Sequence, residues 1–245
     1  MSELFGVGHV AQLSEIQNAR LRRGMPGIGS HVEDLIARLT SGGVAGRSDD
    51  PRIVQAKRLW DLCADGELGA ATFDEYLVTI PSIPLCLLGG EGRLAEFPYL
   101  VLEEPRVPIK RLCEFCGIDH RDDEFRPAHE PFADPKKPHW LRLNNGRKNL
   151  GRKTDQTLLW ATVASCEIPL TALQGVCAYL QHSTILVDGS PNGSPMIMDL
   201  AGSISHEFDD AIAVLARKET LRLTAARCPT GFPNRGLATR LIPTI

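Results

Sequence analysis

The chain has 245 residues, of which 43% are hydrophobic and 23% charged, with a formal net charge of −3. These values are ordinary for a globular protein able to bury a real core, as one large domain or two small ones. The negative balance denies the chain as a whole an electrostatic footprint for nucleic acid, and no apolar run approaches the ~18 residues that a membrane-spanning helix needs.

The N-terminal stretch has no basic segment ahead of an apolar core, so it does not read as a signal peptide. Its first helix is predicted over residues 10–23, where Val10, Leu13, Ile16 and Leu21 recur near the 3.6 period. Gly24, Pro26, Gly27 and Gly29 break it. Ser30 and Glu33 form a capping-box signature for a second helix bearing Val32, Leu35, Ile36 and Leu39. A third starts at Asp50 and Pro51 and runs through Ile53, Val54, Leu59, Trp60 and Leu62. The texture changes at Pro81, where Pro84, Gly89, Gly90 and Gly92 mark a connection. Strands are predicted at residues 97–102 and 139–143, the second ending in the turn signature Asn144, Asn145, Gly146. Helices follow at residues 157–164 and from Pro169 through Leu180. Residues 185–187 and 196–198 read as short strands around a long turn. Residues 208–216 read as a helix with Glu207, Asp209 and Asp210 at its N-terminal end. Residues 221–224 and 237–242 read as closing strands. The expected fold is α+β: a helical N-terminal region, residues 1–80, then an α+β domain, residues 81–245, with a mixed, mainly antiparallel sheet and packed helices.

The seven cysteines, Cys63, Cys86, Cys113, Cys116, Cys166, Cys177 and Cys228, are odd in number and scattered. Reduced thiols and a cytoplasmic location are therefore expected. Cys113 and Cys116 are spaced as one knuckle of a zinc site, in a tight turn helped by Gly117. His120, His129 and His139 lie downstream and Cys166 further away as possible further ligands, with His120 and His129 the candidates taken. A redox pair and two plain buried thiols are the other readings of the same spacing. Gly6 and Gly8 match part of a dinucleotide fingerprint as a string, but too few residues precede them for the required strand. Ser203, Ser205, His206, Asp209 and Asp210 are better explained by helix capping than by a catalytic triad.

Charge is unevenly spread. Residues 106–153 carry 12 basic and 7 acidic residues, and within them residues 136–153 hold seven basic residues and no acid. Lys136, Lys137, Arg142, Arg147 and Lys148, with Trp140 and the neighbouring asparagines as base-facing groups, are the candidate contacts for an anionic partner or nucleic acid. The competing reading is a solvated face, or a cluster paired with acids from the rest of the chain.

Two family resemblances arise. The order Cys113, Cys116, His129, Asn149 resembles the HNH endonucleases over about forty residues, which implies a metal-bound hairpin and helix. Over much of the chain, several landmarks resemble in order and spacing an uncharacterised bacterial domain-of-unknown-function family. They are Gly24, Met25 and Pro26; Phe97, Pro98 and Pro108; Phe125 to Pro127; Pro138 to Leu141 with Gly146; Pro169 to Thr171 with Gly175; and Ala226 to Cys228. That resemblance implies a shared fold and carries over no catalytic residue. The family's acidic pair after the central strand is Asn144 and Asn145 here. The expected function is a cytoplasmic, non-catalytic binding or regulatory module. The alternatives are a zinc-supported nucleic-acid-binding module and an HNH-like nuclease.

Overall fold

The computed structural model describes residues 50–63, 67–120, 124–128, 136–188, 194–208, 210–217, 219–227 and 233–242. The helices expected before residue 50, together with His129 and Cys228, lie outside the described residues. The described chain is an α+β fold with two sheets.

Helix α1 (Pro51–Cys63) buries Gln55, Ala56, Leu59 and Cys63. Its side-chain amide Gln55 does the work of a missing strand. Gln55 Nε2 donates to Leu100 O at 2.6 Å, and Leu102 N donates to Gln55 Oε1 at 2.8 Å. Both partners lie on β1 (Tyr99–Glu103), an edge strand of the first sheet, whose open backbone groups need partners from outside the sheet; His182 Nε2 also lies 3.0 Å from Leu100 O. Helix α2 (Phe73–Thr79) begins with a capping box between Thr72 and Glu75. Its last carbonyls accept from the Arg52 guanidinium, at 2.6 Å for Leu77 O and 2.9 Å for Ile80 O, which suits the negative end of a helix. Residues of α1, α2 and the first sheet share one hydrophobic cluster.

The remaining elements are α3 (Ile109–Cys116), β2 (Asp119–His120), β3 (Phe125–Pro127), β4 (His139–Asn144), α4 (Gln156–Ala164), β5 (Glu167–Pro169), α5 (Ala172–Gln181), β6 (Ile197–Ser205), β7 (Ala211–Arg217), β8 (Leu221–Arg227), β9 (Arg235–Leu237) and β10 (Thr239–Leu241). The first sheet has the order β1-β4-β10-β5 and is antiparallel throughout. The second has the order β2-β8-β7-β6-β3, with β9 added parallel to β6 and β2 parallel to β8. The chain passes from one sheet to the other at Ala238. Its N–H donates to Asp199 O at 3.1 Å and its carbonyl accepts from Leu170 N at 3.0 Å.

Helix α5 touches β1 of the first sheet and β6 and β7 of the second, and α3 packs on it. It is buried on all sides, from Gln174 through Gln181 without a break. Gly175 permits the approach to β6: a Cβ there would meet the Leu200 methyl carbons at 2.6 and 2.7 Å.

The expected α1, β1, β4, α4, α5 and β8 are present, and among the described residues the strands all follow Phe97. Three expectations are corrected. Residues 208–216 do not form a helix. Ala211–Arg217 is the central strand β7, hydrogen-bonded to β6 and β8 and buried on both faces. Such a strand loses the alternation that marks a half-exposed one. Residues 185–187 form turns, closed by Ile185 N to His182 O and Val187 N to Thr184 O. Residues 237–242 divide between two sheets at Ala238 rather than forming one closing strand. No helix among the described residues is long and apolar enough to cross a membrane.

The crossing between β6 and the segment entering α5 generates a prediction. A Cβ on Gly202 would lie 2.6 Å from Pro169 O and 2.8 Å from Leu170 O. Backbone on that side cannot swing away as a side chain can. Gly202→Ala should therefore lose about 1–3 kcal/mol by overpacking, read as a lower urea midpoint at unchanged slope. An unchanged midpoint would contradict this packing.

Candidate functional site

Residues 144–155, from the end of β4 to the start of α4, carry four of the seven residues of the basic run, and their asparagines explain the segment's shape. Asn144 Nδ2 donates to Thr239 Oγ1 at 2.6 Å, and Asn144 Oδ1 accepts from Gly146 N at 2.9 Å. Asn145 Nδ2 donates to Ile185 O at 2.8 Å and to Asp188 O at 3.2 Å, while its Oδ1 accepts from Arg147 N. Asn149 Nδ2 donates to Leu237 O at 3.3 Å. All three asparagines are buried. They are the loop's fasteners, a correction to their expected role as base-facing groups.

Two further contacts complete the anchoring. Gly146 has φ 92°, and a Cβ on either Gly146 or Gly236 would run into the backbone of the other, so neither glycine has room for a side chain. Gly151 N donates to Arg235 O at 2.8 Å. At the far end Thr154 Oγ1 donates to Asp199 Oδ2 at 2.6 Å, and Arg235 Nε donates to Asp199 Oδ1. Burial raises the Asp199 carboxyl above its usual range, partly offset by Thr154 and Arg235. Asp155 then caps α4 by accepting from Leu158 N.

The basic side chains separate into two groups. Lys148 Nζ is paired with Glu167 Oε1 at 2.8 Å and Glu96 Oε2 at 2.6 Å. Hydrogen bonds to these carboxylates raise the lysine and lower Glu96. Arg142 donates to Pro98 O and Gly89 O. Trp140 is 5% exposed and its indole N–H donates to Pro81 O at 2.8 Å, so its ring belongs to the core rather than to a surface that could face a base. Arg147, Arg152 and Lys153 are exposed and make no ion pair with a described residue. Lys136 and Lys137 are exposed as well, before β4.

The cysteine pair lies on α3, not in a turn. Ile109, Leu112, Cys113 and Cys116 follow the helical period, and the helix ends at Gly117, φ 63°. Gly117 N donates to Glu114 O and Ile118 N to Cys113 O, which closes the helix C-terminus. Cys113 is in the core and Cys116 is half-buried. Burial pushes the Cys113 thiol up to about 12 and Cys116 up to about 11, the opposite of an activated thiolate. His120, on β2, has both ring nitrogens buried without a hydrogen-bond partner among the described residues. No group of three or more histidine, cysteine or acidic residues able to hold a metal occurs among the described residues.

No family model, curated protein or solved structure matches the chain. What the molecule can do is therefore read from its own groups.

One titratable cluster was missed by sequence reasoning. Glu103, at the end of β1, lies opposite His139 on β4. Its Oε2 accepts from His139 Nε2 at 2.9 Å and from Gln174 Nε2 of α5 at 2.9 Å. The other imidazole nitrogen, Nδ1, faces Lys137 O at 3.1 Å. Two acceptors on one ring favour the doubly protonated form. Burial opposes the charge and so does Arg240, but Glu103 and the carbonyl outweigh them and raise His139 above its ordinary 6.5. Neighbouring Glu104 is also buried, accepting from Tyr76 Oη at 2.9 Å and bidentately from Arg106 at 2.7 and 2.6 Å. These groups pair with one another and make a structural joint between β1, β4 and α5.

A folded-state pKa raised above the unfolded value means that protonated His139 stabilises the native state. That contribution is fully present below about 6.5 and is lost as pH rises through the raised folded value. The unfolding free energy of the wild type should fall across that window, and His139→Gln should remove that part of the slope. A slope unchanged by the substitution would contradict the assignment.

Proposed function

We propose that this chain is a non-catalytic binding module of the reducing cytoplasm that docks an anionic partner, nucleic acid in the first instance, on the loop of residues 144–155. The observation that carries the reading is the contrast within the basic run. Lys148 and Arg142 are consumed internally, whereas Arg147, Arg152 and Lys153 stand exposed on a backbone fastened by three buried asparagines. Cations carried on one short anchored segment repel one another, and an outside polyanion relieves that repulsion while losing little loop entropy. The free thiols support a reducing compartment. A zinc-supported form of the same module is a second reading, favoured by the ring nitrogens of His120, which have no hydrogen-bond partner among the described residues. It requires His120 and His129 to act with Cys116 and a rearranged Cys113, and metal analysis of the purified protein tests it.

Fluorescence anisotropy with labelled single-stranded and duplex oligonucleotides, across a salt series, tests the docking proposal. Non-specific affinity of about 10⁻⁴ to 10⁻⁶ M is expected, with each lost phosphate contact flattening the logarithmic salt slope by about 0.9 on duplex DNA. Replacing Arg147, Arg152 and Lys153 by Ala should weaken binding to every sequence and flatten the slope by about 2–3. Lys148→Ala should act mainly on stability, because its partners are Glu96 and Glu167. No binding by the wild type even at low salt would contradict the proposal and leave the loop a solvated face.

A further inference from the structure

Strand β4 begins at His139, whose pairing with Glu103 is the last of the β1–β4 register. The residues that lead into it lie beyond the ladder, and Pro138 has no N–H with which to extend it. The His139 ring spans this boundary. Nε2 faces the Glu103 carboxylate at 2.9 Å, and Nδ1 faces Lys137 O at 3.1 Å. One nitrogen thus holds the neighbouring strand and the other holds the lead-in. The charged and titratable groups around the ring and its carboxylate are Glu103 on β1, Arg240 on β10 and, on α5, the Cys177 thiol, which burial and Glu103 keep protonated. Gln174 of α5 is uncharged and donates to the same Glu103 oxygen. Lys136 and Lys137 stand exposed on the lead-in itself.

We propose that the His139 ring is a pH-sensitive latch: as the imidazolium it ties the lead-in of β4 to β1 through both nitrogens, and on losing a proton it releases Lys137 O and keeps Glu103. Both partners are acceptors, so both contacts need a proton on the ring, and only the charged ring has two. A neutral ring must abandon one of them. The environment decides which. A proton on Nε2 makes a charge-assisted bond to a carboxylate, the stronger of the two. Without it, a bare nitrogen would face a buried carboxylate, and Glu103 would be left with Gln174 as its side-chain donor. Lys137 is exposed, so water can take the place of Nδ1 at its carbonyl. Rising pH therefore frees the backbone that carries Lys136 and Lys137 while the β1–β4 joint stays closed. The lead-in precedes β4 and lies apart from the loop of residues 144–155, so the latch and the docking proposal stand or fall separately.

NMR on the isotope-labelled full chain, titrated through His139, tests the latch. Ring nitrogen shifts should show both nitrogens protonated at low pH, and above the titration a proton on Nε2 with Nδ1 bare. The amide order parameters of Lys136 and Lys137 should fall together with that titration, from about 0.85 to below about 0.6, while the Glu103 and Trp140 amides stay rigid. His139→Gln should abolish the pH dependence at Lys136 and Lys137. Should that variant fail to fold, the wild-type tautomer and order parameters decide alone. A neutral ring protonated on Nδ1 overturns the proposal, because Glu103 is then the partner released. So do order parameters at Lys136 and Lys137 that ignore the His139 titration, and so does a pH dependence there that survives in folded His139→Gln.

Discussion

Helix α5 is the constraint on which the rest of the fold depends. A helix buried all round must have every polar group answered from within the protein. Gln174 is answered twice: its Oε1 caps the helix start at Thr171 N and its Nε2 reaches Glu103. Gln181 Nε2 faces Gln55 O at 3.4 Å. Because α5 contacts strands of both sheets, the chain must cross between the sheets, and it does so beside α5's own lead-in: Leu170 donates to Ala238, the residue at which the strand changes sheet. Gly175 and Gly202 set how near β6 can come. The Glu103 joint then ties this helix to two neighbouring strands of the first sheet.

Apolar spacing, capping residues and turn signatures made several elements legible. Helices α1 and α4 and strand β4 read correctly, and α5 was found from Pro169 and its apolar spacing. Strand β7 was hidden because burial on both faces removes the alternation, leaving Ala211 to Ala216 as a plain apolar run that fits a helix equally well. The two cysteines of α3 were ambiguous for a related reason: a separation of three residues serves a metal knuckle and one helical turn alike. Gly117 terminates either, so it could not separate them. Strands β2, β3 and β5, of two or three residues each, carry too few positions for any period to show.

The candidate site was legible in composition but not in outcome. An acid-free run from Lys136 to Lys153 shows where cations gather, but it does not show which of them are already paired. Glu167 lies 19 residues from Lys148, and Gly89 lies 53 from Arg142. The asparagines were equally undetermined, since an amide can read a base or fasten a carbonyl. Here the buried positions of Asn144, Asn145 and Asn149 decide for fastening. Most polar groups that sequence inspection singled out are therefore paired within the fold, and the exposed cations without an ion pair to a described residue are Arg147, Arg152 and Lys153.

Helix α5 should be the last element to open. Helix amides sealed from water on every side exchange only when the whole fold opens, whereas a surface helix frays locally. Native-state hydrogen exchange reads this directly. Amides of Val176 to Leu180 should exchange with the free energy of global unfolding and follow its denaturant dependence, together with those of β6 and β7, while those of α4 exchange sooner. Exchange of the α5 amides at a free energy well below the global value, with β7 still protected, would contradict the account.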